Sequence, residues 1–136
     1  METAEIRRRL AEARVGRLAT VSAEGRPHLV PVCFVLDGGT IFFAVDSKPK
    51  ASTDLKRLRN IAANPLVSIL VDHYAEDWTS LWWVRADGTA AVLVKPGEAA
   101  AAIDLLVARY PQYRSSRPGG PVVAVTIRRL SGWSGS

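Results

Sequence analysis

From residue 3 to residue 14, Ile6, Leu10 and Ala13 recur at helical spacing, the Arg7-Arg8-Arg9 run falls between the apolar positions, and Thr3 is placed to cap the start. The period then changes. Arg17 to Ser22 alternates as a strand, Ala23-Glu24-Gly25-Arg26 reads as a turn, and Pro27 to Leu36 is a nearly continuous apolar run suited to a strand buried on both faces. Asp37-Gly38-Gly39 predicts a hairpin into a β-branched and aromatic strand from Thr40 to Asp46. After the basic loop Ser47-Lys48-Pro49-Lys50, a helix is expected from about Thr53 to Ala63, with Leu55, Leu58 and Ala62 on one face and Asn64-Pro65 as its stop. Leu66 to Asp72 reads as a strand, followed by a polar loop through His73, Glu76 and Asp77. Trp78 to Val84 is read as another strand, Ala86-Asp87-Gly88 as a turn, and Thr89 to Val94 as its return. Pro96-Gly97-Glu98 opens a third helix that keeps its period through Ala99, Ile103, Leu106 and Val107 until Pro111, and Pro121 to Leu130 alternates as a last strand.

Strands joined by tight turns are antiparallel, so the pattern predicts an α+β protein. About six to seven strands with flanking helices on 136 residues are most economically arranged as a small closed or split β-barrel, which also removes exposed edges. Apart from the loop Ser115 to Gly120, no repeat, low-complexity tract or linker interrupts the chain, so residues 1–136 read as a single domain. A chain of this size buries roughly two thirds of the surface its unfolded form exposes, enough for a core without covalent staples.

The only cysteine, Cys33, has neither a disulfide partner nor a histidine at ligand spacing, which excludes zinc-finger and thioredoxin-like chemistry. No signal-peptide pattern and no run of about 18 apolar residues is present, so the expectation is a cytoplasmic protein that does not span a membrane. The formal net charge of +5 fits an anionic partner, either a nucleic acid or a phosphorylated small molecule.

Phosphate-loop, nucleophile-elbow and zinc-protease motifs are all missing from the sequence. His28 reads as a strand residue at a solvated edge more readily than as a catalytic base, and His73, beside Asp72 in a polar loop, is the better placed to touch a ligand. An enzyme built from such residues takes its reactivity from a cofactor. Lys48 and Lys50 lie on a loop entering a helix whose free N–H groups favour an anion, with Lys56, Arg57 and Arg59 following. Arg57 and Asn60 are three apart and so reach the same side. The spacing fits a phosphate pocket and a solvated basic face equally. Trp78, Trp82 and Trp83 fall within six residues, beside His73, Tyr74 and Arg85. In a strand Trp82 and Trp83 point to opposite faces, so one packs in the core while the other meets a second subunit or a flat ring system.

Several runs, taken in order, resemble the pyridoxamine 5′-phosphate oxidase-like split β-barrel flavoprotein superfamily. They are Gly16-Arg17-Leu18-Ala19-Thr20-Val21, Gly25-Arg26-Pro27-His28, Pro31-Val32, Phe43-Ala44-Val45-Asp46, Lys48-Pro49-Lys50, Leu58-Arg59-Asn60-Ile61, Asn64-Pro65 and Val67-Ser68. Val71-Asp72-His73-Tyr74, Glu76-Asp77-Trp78 and Leu81-Trp82-Trp83-Val84-Arg85 resemble more narrowly its F420-dependent branch, the flavin/deazaflavin oxidoreductases. The resemblance implies a homodimer with two cofactor sites at the subunit interface. Carried over by position, it implies that Lys48, Lys50, Arg57 and Asn60 bind the cofactor phosphate or its acidic tail. The strand from His28 to Phe34 would line the ring, Pro31 and Val32 would present backbone groups to its polar edge, and Trp78 and Trp82 would come from the partner. The arginine and histidine pair that binds substrate near the C-terminus of the true oxidases has no convincing match here, which argues against vitamin B6 oxidation itself.

The expected function is therefore hydride transfer between reduced coenzyme F420 and an organic substrate, with His73, Tyr74 or solvent delivering the accompanying proton. FMN is the alternative cofactor; the longer anionic tail of F420 suits the basic residues better. The remaining alternatives are a non-enzymatic cofactor carrier and a basic nucleic-acid-binding module. Arg7 to Arg9, Arg128 and Arg129 would serve the latter, yet no recognised nucleic-acid motif accompanies them, and no nucleic acid is expected as partner.

Overall fold

The structure, a computed structural model, describes residues 1–45 and 52–136, with side chains described for 1–45 and 56–136. The apolar stripe of the first helix, α1 (Thr3–Glu12), buries Ile6 and Leu10, while Glu5 pairs with Arg9 at 3.0 Å on its flank. Four strands follow: β1 (Gly16–Val21), β2 (Pro27–Val32), β3 (Val35–Asp37) and β4 (Thr40–Ala44). Then come α2 (Ser52–Ala63), β5 (Leu66–His73), a 3-10 turn at Trp78–Ser80, β6 (Trp82–Val92), α3 (Pro96–Arg109), α4 (Pro111–Ser115) and β7 (Val122–Ser134).

All seven strands form one antiparallel sheet in the order β2-β1-β5-β6-β7-β4-β3. Strands β2 and β3 stand at opposite ends of that sheet yet are separated in the chain by Cys33 and Phe34 alone. A seven-strand sheet whose two ends are tied this closely must curl on itself, and because its end strands do not pair, the barrel is split. Its inside is filled by alternate residues such as Leu18, Phe43, Ile69, Val84 and Val125, closed off by Ile6 and Leu10 of α1 and Ile61 of α2. The fold is thus the expected α+β split barrel with flanking helices.

Three of the predicted elements divide differently. The run Pro27 to Leu36 is two strands, because Phe34 leaves the ladder and drops fully into the core. The Tyr110 hydroxyl takes over its backbone there: it accepts from the Phe34 N–H at 3.0 Å and lies 2.9 Å from the Phe34 carbonyl and 3.0 Å from that of Arg14. Nor is the run buried on both faces, since Pro27, Leu29 and Pro31 are exposed. Ala86-Asp87-Gly88 is not a turn but the middle of β6. Its turn-forming residues serve the sheet: the Asp87 carboxylate accepts from Ser68 and Arg85, and Gly88 sits at a bulge where a Cβ would collide with the Thr126 carbonyl. Trp78 starts a 3-10 turn instead of a strand, because the Asp77 carboxylate caps it by accepting from the Thr79 N–H. The last strand also runs beyond Leu130 to Ser134, where pairing with β6 overrides the weak strand propensity of Ser131 and Gly132.

Candidate functional site

The described part of the basic corner is built where α2 packs over β1, whose neighbour in the sheet is β2. Thr20 of β1 lies directly opposite His28 of β2, on the inner face of the sheet. Thr20 is 1% exposed, and its hydroxyl accepts from the Asn60 Nδ2 at 3.1 Å. Asn60 is 4% exposed and Arg57, one helical turn earlier, 8%. Arg57 and Asn60 are therefore buried polar groups at the foot of α2, unlike the solvated basic face that spacing alone also allowed. Beside them, burial lowers the His28 pKa below its ordinary 6.5, and the charges of Lys56 and Arg57 lower it further. Both causes disfavour the imidazolium, and the buried Nδ1 of the ring has no hydrogen-bond partner among the described residues.

Pro31 and Val32 lie at the far end of β2 on opposite faces, Pro31 exposed and Val32 in the core. Lys48 and Lys50 fall outside the described residues. Just past β2, Cys33 is exposed in a crevice of about 540 Å³ that Arg14, Tyr110 and Tyr113 also line.

The tryptophans form a second region at the β5–β6 connection. Trp82 and Trp83 do point to opposite faces. Trp82 is half-buried, with the Arg9 guanidinium 4.5 Å from its ring centre and the His73 ring stacked at 6.0 Å. Trp83 lies on the outer face, paired across strands with Asp72 and Trp133. These outer residues, with Leu70, Arg85 and Tyr74, line an open crevice of about 440 Å³. Trp78 is 67% exposed at the tip of the connection.

The structure brings His28, Arg57 and Asn60 together and places Trp78 and Trp82 in the same β5–β6 region, Trp82 against the core and Trp78 in solvent, but keeps the two groups apart. Ala19 pairs with Ser68, so Thr20 sits level with Val67, and His73 is six residues further along β5. At roughly 3.3 Å per residue that is about 20 Å within one chain. Sequence reasoning gave Thr20 no role of its own, its inward position in the β1 alternation being its only signal, and grouped Arg9 with the basic residues of a nucleic-acid surface.

Among the described residues no group of three or more His, Cys, Asp or Glu side chains is placed to hold a metal ion, and no helix is long and apolar enough to cross a membrane.

Comparison with known proteins adds three kinds of likeness. A stretch of 57 residues, 42% of this chain, is 39% identical to the 5a,11a-dehydrotetracycline/5a,11a-dehydrooxytetracycline reductase of Streptomyces rimosus; it spans 39% of that relative's length. Among solved structures, a conserved hypothetical protein of Mycobacterium tuberculosis superposes with a TM-score of 0.81 at 23% identity, covering 99% of this chain and 86% of that one. A FAD-binding protein of Mesorhizobium loti gives 0.75 at 22% identity over 97% and 94% of the two chains, and the heme storage protein HutZ of Vibrio cholerae 0.73 at 20% over 97% and 93%. These structural likenesses establish the fold. The family model described as pyridoxamine 5′-phosphate oxidase matches residues 2–134, nearly the whole chain, and the protein belongs to that family.

Proposed function

We propose that this chain acts as a homodimeric oxidoreductase that binds coenzyme F420 and passes a hydride between the reduced deazaflavin and an organic acceptor. The observation that carries the proposal is the corner where buried Arg57 and Asn60 meet His28. A buried guanidinium beside a neutral imidazole with an unused ring nitrogen fits a phosphate-bearing ligand, to which both offer polar atoms. Asn60, tied to Thr20, holds the foot of α2 against β1 and so fixes the direction in which Arg57 reaches. Bound there, the cofactor supplies the hydride, leaving the chain to bind, orient and exclude water.

The separation of about 20 Å between this corner and the aromatic connection supports a shared site. Trp78 of the same chain stands well away from a phosphate anchored at Arg57, whereas Trp78 of the partner subunit would meet the ring if two barrels pack through their outer faces. Leu29 and Leu66, 67% and 62% exposed on that face, give it the apolar area such packing needs.

The reductase relative favours reduction of an organic acceptor, and the FAD-binding neighbour keeps a flavin open as the alternative cofactor. Titration of the purified protein with F420 and with FMN, followed by cofactor absorbance and fluorescence, separates the two because their spectra differ. Binding of F420 at micromolar concentration is expected. If neither cofactor binds while DNA or RNA binds tightly near physiological salt with a steep salt dependence, the basic surface is the functional one and the oxidoreductase assignment falls.

A further inference from the structure

Trp78 combines two properties that seldom occur together: it is a large apolar side chain in solvent, and the backbone beneath it is tied down from two sides. From within the turn, the Asp77 carboxylate accepts from the Thr79 N–H at 3.1 Å and from the Thr79 hydroxyl at 2.7 Å, while the Leu81 N–H donates to the Trp78 carbonyl at 3.2 Å. From outside it, the end of β7 closes against the turn: the Gly135 N–H donates to the Leu81 carbonyl at 2.8 Å. Gly135 packs so near that a Cβ there would run into the Trp78 carbonyl oxygen. Trp82, which opens the strand after the turn, has its own ring against Arg9 and His73.

An exposed loop of this length ordinarily tolerates movement at its tip. Here side-chain caps, a strand end and a close backbone approach all restrain it. We infer that Asp77 and Gly135 are positioning residues that hold the backbone of Trp78 in place and so present its indole to the flat ring of the cofactor bound to the partner subunit, an inference that rests on the shared-site arrangement proposed above. Fixing the backbone beneath the indole before binding lowers the ordering cost that a free loop would pay on contact with the ring. Neither residue touches the cofactor; both act through Trp78.

Substitution separates this role from general support of the fold. Gly135→Ala displaces the turn by steric contact, whereas Asp77→Ala removes two hydrogen bonds without adding an atom, so the two variants reach the same loop by unrelated routes. Asp77→Asn keeps an acceptor oxygen and serves as the conservative control. With 5-fluorotryptophan incorporated, the protein has four fluorine resonances, and the one that disappears in Trp78→Phe belongs to Trp78. In the cofactor-free protein that resonance should shift or broaden in Gly135→Ala and Asp77→Ala and stay near its parent position in Asp77→Asn.

F420 titration should then show Gly135→Ala and Asp77→Ala binding roughly 3- to 10-fold more weakly, with no further loss when either is combined with Trp78→Ala. An unchanged Trp78 resonance in both variants overturns the positioning role. So does parent-like F420 affinity in both variants when Trp78→Ala itself binds more weakly. If Trp78→Ala binds F420 like the parent, the contact between Trp78 and the cofactor is refuted, and the fluorine spectra alone then decide whether Asp77 and Gly135 hold the turn.

Discussion

The basic corner under α2 and the aromatic connection between β5 and β6 solve opposite problems. In the first, polar groups that would ordinarily sit in water are buried: Thr20, Asn60 and Arg57 are each at least nine-tenths enclosed by their own chain. In the second, apolar groups that would ordinarily be buried stand in water, with Trp78 and Tyr74 both more than 60% exposed. Burying polar groups costs free energy unless something pairs with them, and exposing an indole forfeits burial free energy unless something covers it. The two regions thus differ in what they offer a ligand: the first presents enclosed polar groups, among them Asn60 paired with Thr20, and the second a large apolar surface open to solvent.

The sharpest way to break this comparison is at Arg57. Arg57→Ala removes a charge-assisted contact to the anion and should weaken F420 binding by about 1.5–3 kcal/mol, roughly 10- to 150-fold, as read by fluorescence titration. An affinity within twofold of the parent would move the anion elsewhere.

A smaller effect comes from His28. Its pKa is lowered by burial and by Lys56 and Arg57, so the folded protein holds this proton less tightly than the unfolded chain does. The stabilisation from keeping the ring neutral is therefore present above the ordinary 6.5 and declines as pH falls from there through the lowered value. An anion bound beside the ring reverses the balance by favouring the imidazolium, so binding takes up a proton. F420 affinity of the parent, relative to that of His28→Gln, should rise as pH is lowered; the ratio cancels the titration of the phosphate itself. A ratio independent of pH would place His28 outside the anion's reach.

The smallest effect on stability is expected on the outer face. Leu29→Ser removes a side chain that is mostly in water already, so the denaturation midpoint should correspond to a change within about 0.5 kcal/mol. Its association should nonetheless weaken, with sedimentation velocity at micromolar concentration showing more monomer than the parent. If the parent is itself a monomer, Trp78 has no partner-bound ring to meet.

Much of this organisation was legible in the chain, for reasons that differ from place to place. The stripes of α1 and α3 and the alternation of β1, β5 and β7 carry the fold because burial on one face leaves a period in the sequence. The opposed faces of Trp82 and Trp83 follow from the same rule. Lost to sequence reading were features made by long-range contact. Asp87-Gly88 has the chemistry of a turn, yet Ser68, Arg85 and the close approach of Thr126 turn it into the middle of a strand. Phe34 leaves its strand because a phenol 76 positions away meets its backbone. In the site, the three-residue spacing of Arg57 and Asn60 suggested a shared direction, but only the packing of α2 on Thr20 distinguishes a buried corner from a wet helix face. Gly135 carried no sequence signal, since a close approach between backbones leaves no pattern in the residues around it.

The strand order has a consequence for how the protein is made. Among the described residues the β3–β4 hairpin joins the rest of the sheet through β7 alone, a strand that follows it in the chain by almost 80 residues. Until β7 emerges, β1, β2, β5 and β6 can pair as one patch while the hairpin waits with its β4 edge unsatisfied and Phe43 without its final neighbours. Closure is thus deferred until β7 has been made and depends on contacts of high sequence separation, which form slowly. Nascent chains stalled before Val122 should expose that edge to chaperones and proteases, and release of the final strand should protect both halves together.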